Sequence, residues 1–150
     1  MAPLTDRTVL VTGVSRRRGI GAAIAQRLVT DGAAVLLHGW SAHDAEQPWG
    51  DDAGGADALL DELRARGGSV ELMTADFADP DAPRNAVVRA REAFGSLDAI
   101  IANHARSSSQ SLEQLTAEEI DLSYAVNTRA TLLLVREFAA QHDDRIGGRV

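Results

Sequence analysis

The chain has 150 residues, no cysteine, 45% hydrophobic and 25% charged side chains, a size suited to one domain that buries roughly 68–70% of its unfolded surface. Disulfides and thiolate chemistry are excluded, and no apolar run reaches the ~18 residues of a membrane span. A net charge of −7, from 22 acidic against 15 basic residues, argues against a nucleic-acid or anionic-membrane partner. The opening MAPLTDRTVLVTG lacks a secretory pattern, so a cytoplasmic location is expected. Every basic residue is arginine, lysine is absent, and Tyr124 is the sole tyrosine.

Apolar runs of strand length alternate with longer segments of helical period, the pattern of consecutive βαβ units and a parallel sheet. A first strand is predicted at Thr8–Val11, then a glycine-rich turn and a helix over Ile20–Thr30 that Gly32 stops. The second strand, Ala33–Leu37, leads into Gly39–Gly55, a run of turn formers and charges containing Trp40 and Trp49 that is expected to be flexible. A helix over Ala56–Arg66, closed by Gly67 and Gly68, precedes a strand at Val70–Thr74. Pro83 suits the first turn of the next helix, Asp81–Phe94, which Gly95 ends.

Strand four is placed at Ala99–Ala102, followed by a serine-rich loop, Ser107–Ser111. The stretch Thr116-Ala-Glu-Glu119 reads as a capping box opening one long helix to Ala140, with apolar positions Ile120, Val126, Leu132, Leu133 and Val135. Arg149 and Val150 stand where the alternation starts a fifth strand. The expected fold is α/β, a Rossmann-type doubly wound parallel sheet of order 3-2-1-4 in one domain over residues 1–150, incomplete at its C-terminal side. On that order strand four is an exposed edge and the fifth helix keeps an uncovered apolar face, so self-association is expected.

A strand feeding a glycine-rich turn and then a helix is built to bind phosphate, because the turn admits a close backbone approach and the helix N-terminus offers N–H groups with partial positive charge. Here Gly13 permits the tight turn, Gly19 lets a pyrophosphate approach, and Gly21 lets the helix pack on the strand. A Walker loop is excluded, since no Gly-Lys-Ser/Thr follows. His38, His43, Asp44 and His104 lack metal-ligand spacing, and no metal site is expected.

The segment Thr12-Gly13 to Gly19-Ile20-Gly21 resembles the cofactor loop of the short-chain dehydrogenase/reductase family. The resemblance extends along the chain. Asp76, followed by Phe77, sits where that family places an aspartate on the adenine ring; Asn103-His104-Ala105-Arg106 resembles its Asn-Asn-Ala-Gly; and Asn127 matches its catalytic-site asparagine. Two departures stand out. The loop holds Val14-Ser15-Arg16-Arg17-Arg18 between its first two glycines, longer than the family's usual spacing and similar to the branch of enoyl-acyl-carrier reductases. In the second motif His104 replaces an asparagine and Arg106 a glycine, changing the hydrogen-bond chemistry and the bulk of that wall.

Such a resemblance implies a nicotinamide cofactor, and the choice between NAD and NADP turns on the end of strand two. A carboxylate there would accept from the ribose 2′-hydroxyl and repel a 2′-phosphate. The sequence reads Leu37-His38-Gly39-Trp40-Ser41, and the first acid, Asp44, lies well past the expected strand end. Arginines crowd the glycine loop, and a guanidinium donates two parallel charge-assisted bonds to phosphate. NADP is therefore expected over NAD. Counting from Gly13 selects Ser15 and Arg16 for the phosphate, whereas counting back from Gly19 selects Arg18. Trp40 either covers the adenosine or pins the long loop. With Ile20, Asp76, Phe77 and Asn103, these residues and the three glycines form the expected cofactor site.

The family's chemistry uses a tyrosine acid, a lysine that lowers its pKa, a serine that holds the substrate oxygen, and the helix-five asparagine. Only Asn127 has a counterpart here, because Tyr124 is followed by Ala-Val-Asn-Thr128 and no lysine exists. By the family's order the other three would follow Val150. The expectation is the cofactor-binding part of an NADP-dependent reductase similar to 3-oxoacyl-carrier reductases, acting with its remainder as a homo-oligomer on a small carbonyl or acyl substrate. The 150 residues alone are expected to be inactive. A split enzyme half and a non-catalytic nucleotide-binding or regulatory module are the alternatives.

Overall fold

The computed structural model describes residues 2–48, 50, 52, 54–142 and 147–150; Trp49 lies outside them. Four strands, β1 (Thr8–Val11), β2 (Ala34–Gly39), β3 (Val70–Thr74) and β4 (Ala99–Ile101), form one sheet in the order β3-β2-β1-β4. All pairings are parallel, with Leu10 opposite Leu36 and Ile100. This is the expected doubly wound arrangement. The helices are α1 (Ile20–Thr30), α2 (Ser41–Ala45), α3 (Gly55–Ala65), α4 (Ala82–Phe94), α5 (Ala117–Tyr124) and α6 (Ala130–Gln141), with a π-helical turn over Ala125–Arg129 between the last two.

The strand period of two sorts each strand's side chains onto opposite faces. Leu10, Leu36 and Ile100 pack with Ala86, Ala90, Leu134 and Phe138 of α4 and α6. Val9, Val11, Val35 and Leu37 pack with Ala22, Ala25, Leu59 and Leu63 of α1 and α3. Covering both faces makes β1 buried throughout, which is why it reads as a continuous, mostly β-branched run rather than an alternating one.

Asp98, immediately before β4, ties the centre of the sheet to its start. Its carboxylate is 3% exposed and accepts from the Thr8 N–H at 2.9 Å and from Arg7 Nη1 at 3.1 Å. Asp98→Ala strands that buried amide and is expected to cost about 2 kcal/mol of stability in urea unfolding, within the range for an unsatisfied buried donor. A change below about 0.5 kcal/mol would contradict this account of the anchor.

Three expectations need correction. The Gly39–Gly55 stretch is not uniformly irregular, because α2 forms within it. The single long helix stays helical to Gln141 but carries a π turn at Ala125–Arg129; Thr116 Oγ1 does accept from the Glu119 N–H at 3.2 Å, but the Glu119 carboxylate turns to Arg106. Its buried face is Ala125, Ala130, Leu134 and Phe138, while Ile120, Leu132 and Val135 are exposed. Strand four is not a bare edge either: the Ile100 N–H donates to the Arg149 carbonyl at 3.0 Å and the Arg149 N–H to the Asp98 carbonyl at 3.2 Å, a parallel bridge where a fifth strand was predicted to start. No described helix is long and apolar enough to cross a membrane.

Candidate nucleotide-binding cleft

The carboxyl ends of the strands open into a cleft of about 540 Å³, at the point where the strand order reverses between β1 and β4 and where doubly wound sheets bind ligands. Its floor is the glycine loop after β1. Gly13 has φ +73°, and a Cβ there would lie 2.7 Å from the His104 Cα. At Gly21 a Cβ would lie 2.6 Å from the Gly13 carbonyl oxygen. The loop thus runs between β4 and α1 with no room for a side chain at either residue. Asn103 fixes it further, its Nδ2 donating to the carbonyls of Thr12 and Gly13 at 3.1 Å each. The Val14 N–H, donating to the His38 carbonyl at 2.8 Å, ties it to β2.

Beyond the loop, α1 begins without a side-chain cap on Gly19 and without an acid in its first turn. First-turn amides of that kind suit a diphosphate. Cleft volume, uncapped amides and Arg16 together fit a dinucleotide.

Gly13, Ser15, Arg16, Gly19, Ile20, Trp40, Asp76, Phe77 and Asn103 all line the cleft. Three expected site residues do not. Arg18 is exposed and outside the lining, because the loop turns between Arg16 and Gly19, whose N–H donates to the Arg16 carbonyl at 3.1 Å. Gly21 lies beneath the loop, where it sets the approach of α1. Asn127, in the π turn, faces the β4 loop instead: its Oδ1 accepts from the Arg106 N–H at 2.7 Å and its Nδ2 donates to the Arg106 carbonyl at 2.9 Å. Asp76 is no helix cap, since α4 starts only at Ala82; its Oδ1 accepts from the Ala78 N–H at 2.8 Å and shapes its own turn.

Sequence reading missed two groups. The first is a ring stack: Phe77 lies 3.8 Å from His38 at an interplanar angle of 11° and meets His104 edge-on at 4.7 Å. His104 Nε2 is 3.0 Å from the Val126 carbonyl, which only accepts, so Nε2 carries the proton and Nδ1 accepts from the Thr12 hydroxyl at 2.7 Å. Burial lowers the pKa of both histidines, that of His38 to about 4. The second group joins α2 to the β4 loop. Arg106 makes a forked pair with Glu119, at 3.1 and 2.9 Å, and lies 3.3 Å from His43 Nδ1. Hydrogen bonding between them holds Glu119 below the usual carboxylate range and Arg106 above its own. Asp44 also belongs to this wall, its Oδ2 accepting from Ser15 Oγ and its Oδ1 lying 3.4 Å from Arg16 Nε. No side-chain cap marks the start of α2, whose N-cap is Trp40.

Known proteins resemble this chain in sequence and fold. Versicolorin reductase stcU of Emericella nidulans is 34% identical over 147 residues, covering 98% of this chain and 50% of that protein. The L-rhamnose 1-dehydrogenase (NAD(P)(+)) of Azotobacter vinelandii is 41% identical over 100 residues, covering 67% of this chain and 36% of that protein. A short chain dehydrogenase from Burkholderia cenocepacia J2315, solved in complex with NADP, superposes with a TM-score of 0.79 at 40% identity, over 92% of this chain and 51% of that one. The chain spans about half the length, or less, of these relatives. The profile of the short chain dehydrogenase family matches residues 7–150, and with the fold and the glycine loop this shows that the chain belongs to the short-chain dehydrogenase family.

Proposed function

We propose that the chain is the cofactor-binding part of an NADP-dependent reductase that moves a hydride between the nicotinamide and a carbonyl or hydroxyl carbon of a small molecule. The observation that carries the NADP reading is the place of Arg16 in the cleft wall beside the end of β2, where His38-Gly39-Trp40 supplies no acid. The neighbour solved with NADP supports it.

On this reading the lining residues would divide a dinucleotide among them, an assignment that their place in the cleft supports. The α1 amides would hold the diphosphate, Arg16 and Ser15 the adenosine 2′-phosphate, and Asp76 and Phe77 the adenine side, with Trp40 covering it. Asn103 and Asn127 hold the loops that wall the nicotinamide end. Hydride addition leaves charge on the substrate oxygen, and on this reading a tyrosine whose pKa a lysine lowers would protonate it while a serine holds it, none of the three having a counterpart among these 150 residues. The 150 residues by themselves then bind cofactor without turnover. Substrates are proposed to be ketones or 3-oxoacyl thioesters, and the exposed Ile120, Tyr124, Leu132 and Val135 to be covered by a second copy.

Isothermal titration of the chain tests the cofactor reading. NADPH is expected to bind more tightly than NADH, and Arg16→Ala to weaken NADPH by about tenfold or more, the loss of roughly 1.5–3 kcal/mol for a charge-assisted bond. Arg18→Ala should change little. Equal affinity for the two nucleotides in the unmutated chain would overturn NADP as the preferred cofactor.

A further inference from the structure

Asp44 is a buried carboxylate in the cleft wall, 8% exposed, for which the reading above has no task. It rides on α2, five residues past the last residue of β2, and α2 folds back to bring it to the glycine loop. There it accepts from the Ser15 hydroxyl and lies 3.4 Å from Arg16 Nε. Ser15, Arg16, Trp40 and Asp44 all line the cleft. With a diphosphate on the first turn of α1, the adenosine ribose reaches this end, between the glycine loop and β2.

Two effects of Asp44 oppose each other there. It orders Ser15 and Arg16, which helps any ligand they hold. Its charge, shielded from water, also opposes a 2′-phosphate dianion while accepting well from a 2′-hydroxyl. A phosphate that takes Arg16 competes with Asp44 for the guanidinium, and weakening the pairing of a buried charge is costly. Ordering recovers only side-chain rotamer entropy, so the charge effect is the larger. We infer that Asp44 is the discriminating acid of the cofactor site, disfavouring the 2′-phosphate and supporting the 2′-hydroxyl, so that the chain takes NADH beside NADPH. This rests on the proposed nicotinamide-cofactor reading and adds a determinant that opposes Arg16.

Asp44→Asn keeps the shape and an acceptor for Ser15 while removing the charge; Asp44→Ser is a second variant in case the amide perturbs folding. Affinities for NADPH and NADH, and for the nicotinamide-free pair 2′-phospho-ADP-ribose and ADP-ribose, are measured by isothermal titration on whichever variant melts cooperatively. The preference for the phosphorylated member is expected to rise about tenfold in both pairs, equivalent to ~1.4 kcal/mol. An unchanged preference overturns the inference, and a lowered one does so by showing that Asp44 acts through the orientation of Arg16. The NADP reading fails separately: equal affinities in the unmutated chain defeat it, yet a shift toward NADPH in Asp44→Asn still upholds Asp44. Conversely, loss of preference in Arg16→Ala with no effect of Asp44→Asn upholds the NADP reading and defeats this one. Absence of binding by all four probes overturns both.

Discussion

Gly21→Ala is expected to abolish nucleotide binding and to destabilise the chain by about 3 kcal/mol or more, the upper range for a side chain forced into a packed site. The added Cβ would lie 2.6 Å from the Gly13 carbonyl oxygen, 2.9 Å from Asn103 Nδ2 and 3.1 Å from Val14 Cγ2. Its nearest neighbour is backbone, and Asn103 is already committed to the carbonyls of Thr12 and Gly13, so relief requires moving α1 away from β1. That movement displaces the first-turn amides from the floor of the cleft. Gly67→Ala is the control: its φ is +84° but nothing lies within 4 Å of the added Cβ, so only about 1 kcal/mol of stability is lost, to backbone strain, and binding persists. Thermal melts and NADPH titration of the two variants separate the cases. Nucleotide affinity retained in Gly21→Ala would mean that the loop is not the phosphate floor.

The same close approach explains why so much of this half of the site was legible. A glycine between a β-branched strand and a helix has a local reason to be there, and β1, α1 and β3 fall on their predicted residues. What the sequence hid depends on partners distant along the chain. The short α2 is held by its contacts, with Asp44 on Ser15 and Arg16 and His43 near Arg106, rather than by propensity, so a window of turn formers conceals it. The π turn is equally silent, because one extra residue in a helical turn leaves the apolar period nearly unchanged; its consequence, Asn127 closed on the backbone of Arg106, appears only in three dimensions. Arg18 was a candidate only because counting back from Gly19 assumes a regular loop path. The His38, Phe77 and His104 stack joins three different strand ends, and no spacing in the chain announces it.

Stability is expected to fall in mild acid because of His38 in that stack. Burial holds His38 neutral, with its pKa lowered to about 4 from an ordinary value near 6.5, and the part-buried His104 is lowered too. Below pH ~6.5 the unfolded chain takes up protons that the native chain refuses, so stability drops as pH falls from ~6.5 and stops responding to His38 below about 4, where both states are protonated. Above ~6.5 this contribution is fully present. A shift of that size corresponds to about 3 kcal/mol for His38 alone. Carboxylates whose native pKa is lowered, such as Glu119 beside Arg106, act in a separate window, below their own ordinary values. His38→Gln removes the titrating ring but keeps a side-chain N–H for the Ala75 carbonyl, which His38 Nε2 now meets at 3.0 Å. Urea unfolding of the two proteins at pH 7, 6 and 5 should show the wild-type chain losing stability more steeply, by up to one proton's slope. Parallel curves would mean that His38 is charged in the native state, and the flat stacking of Phe77 on its ring would then need another explanation. Because that ring pair lines the wall beside Asp76, the same acid range should also loosen that end of the cleft before the molecule unfolds as a whole.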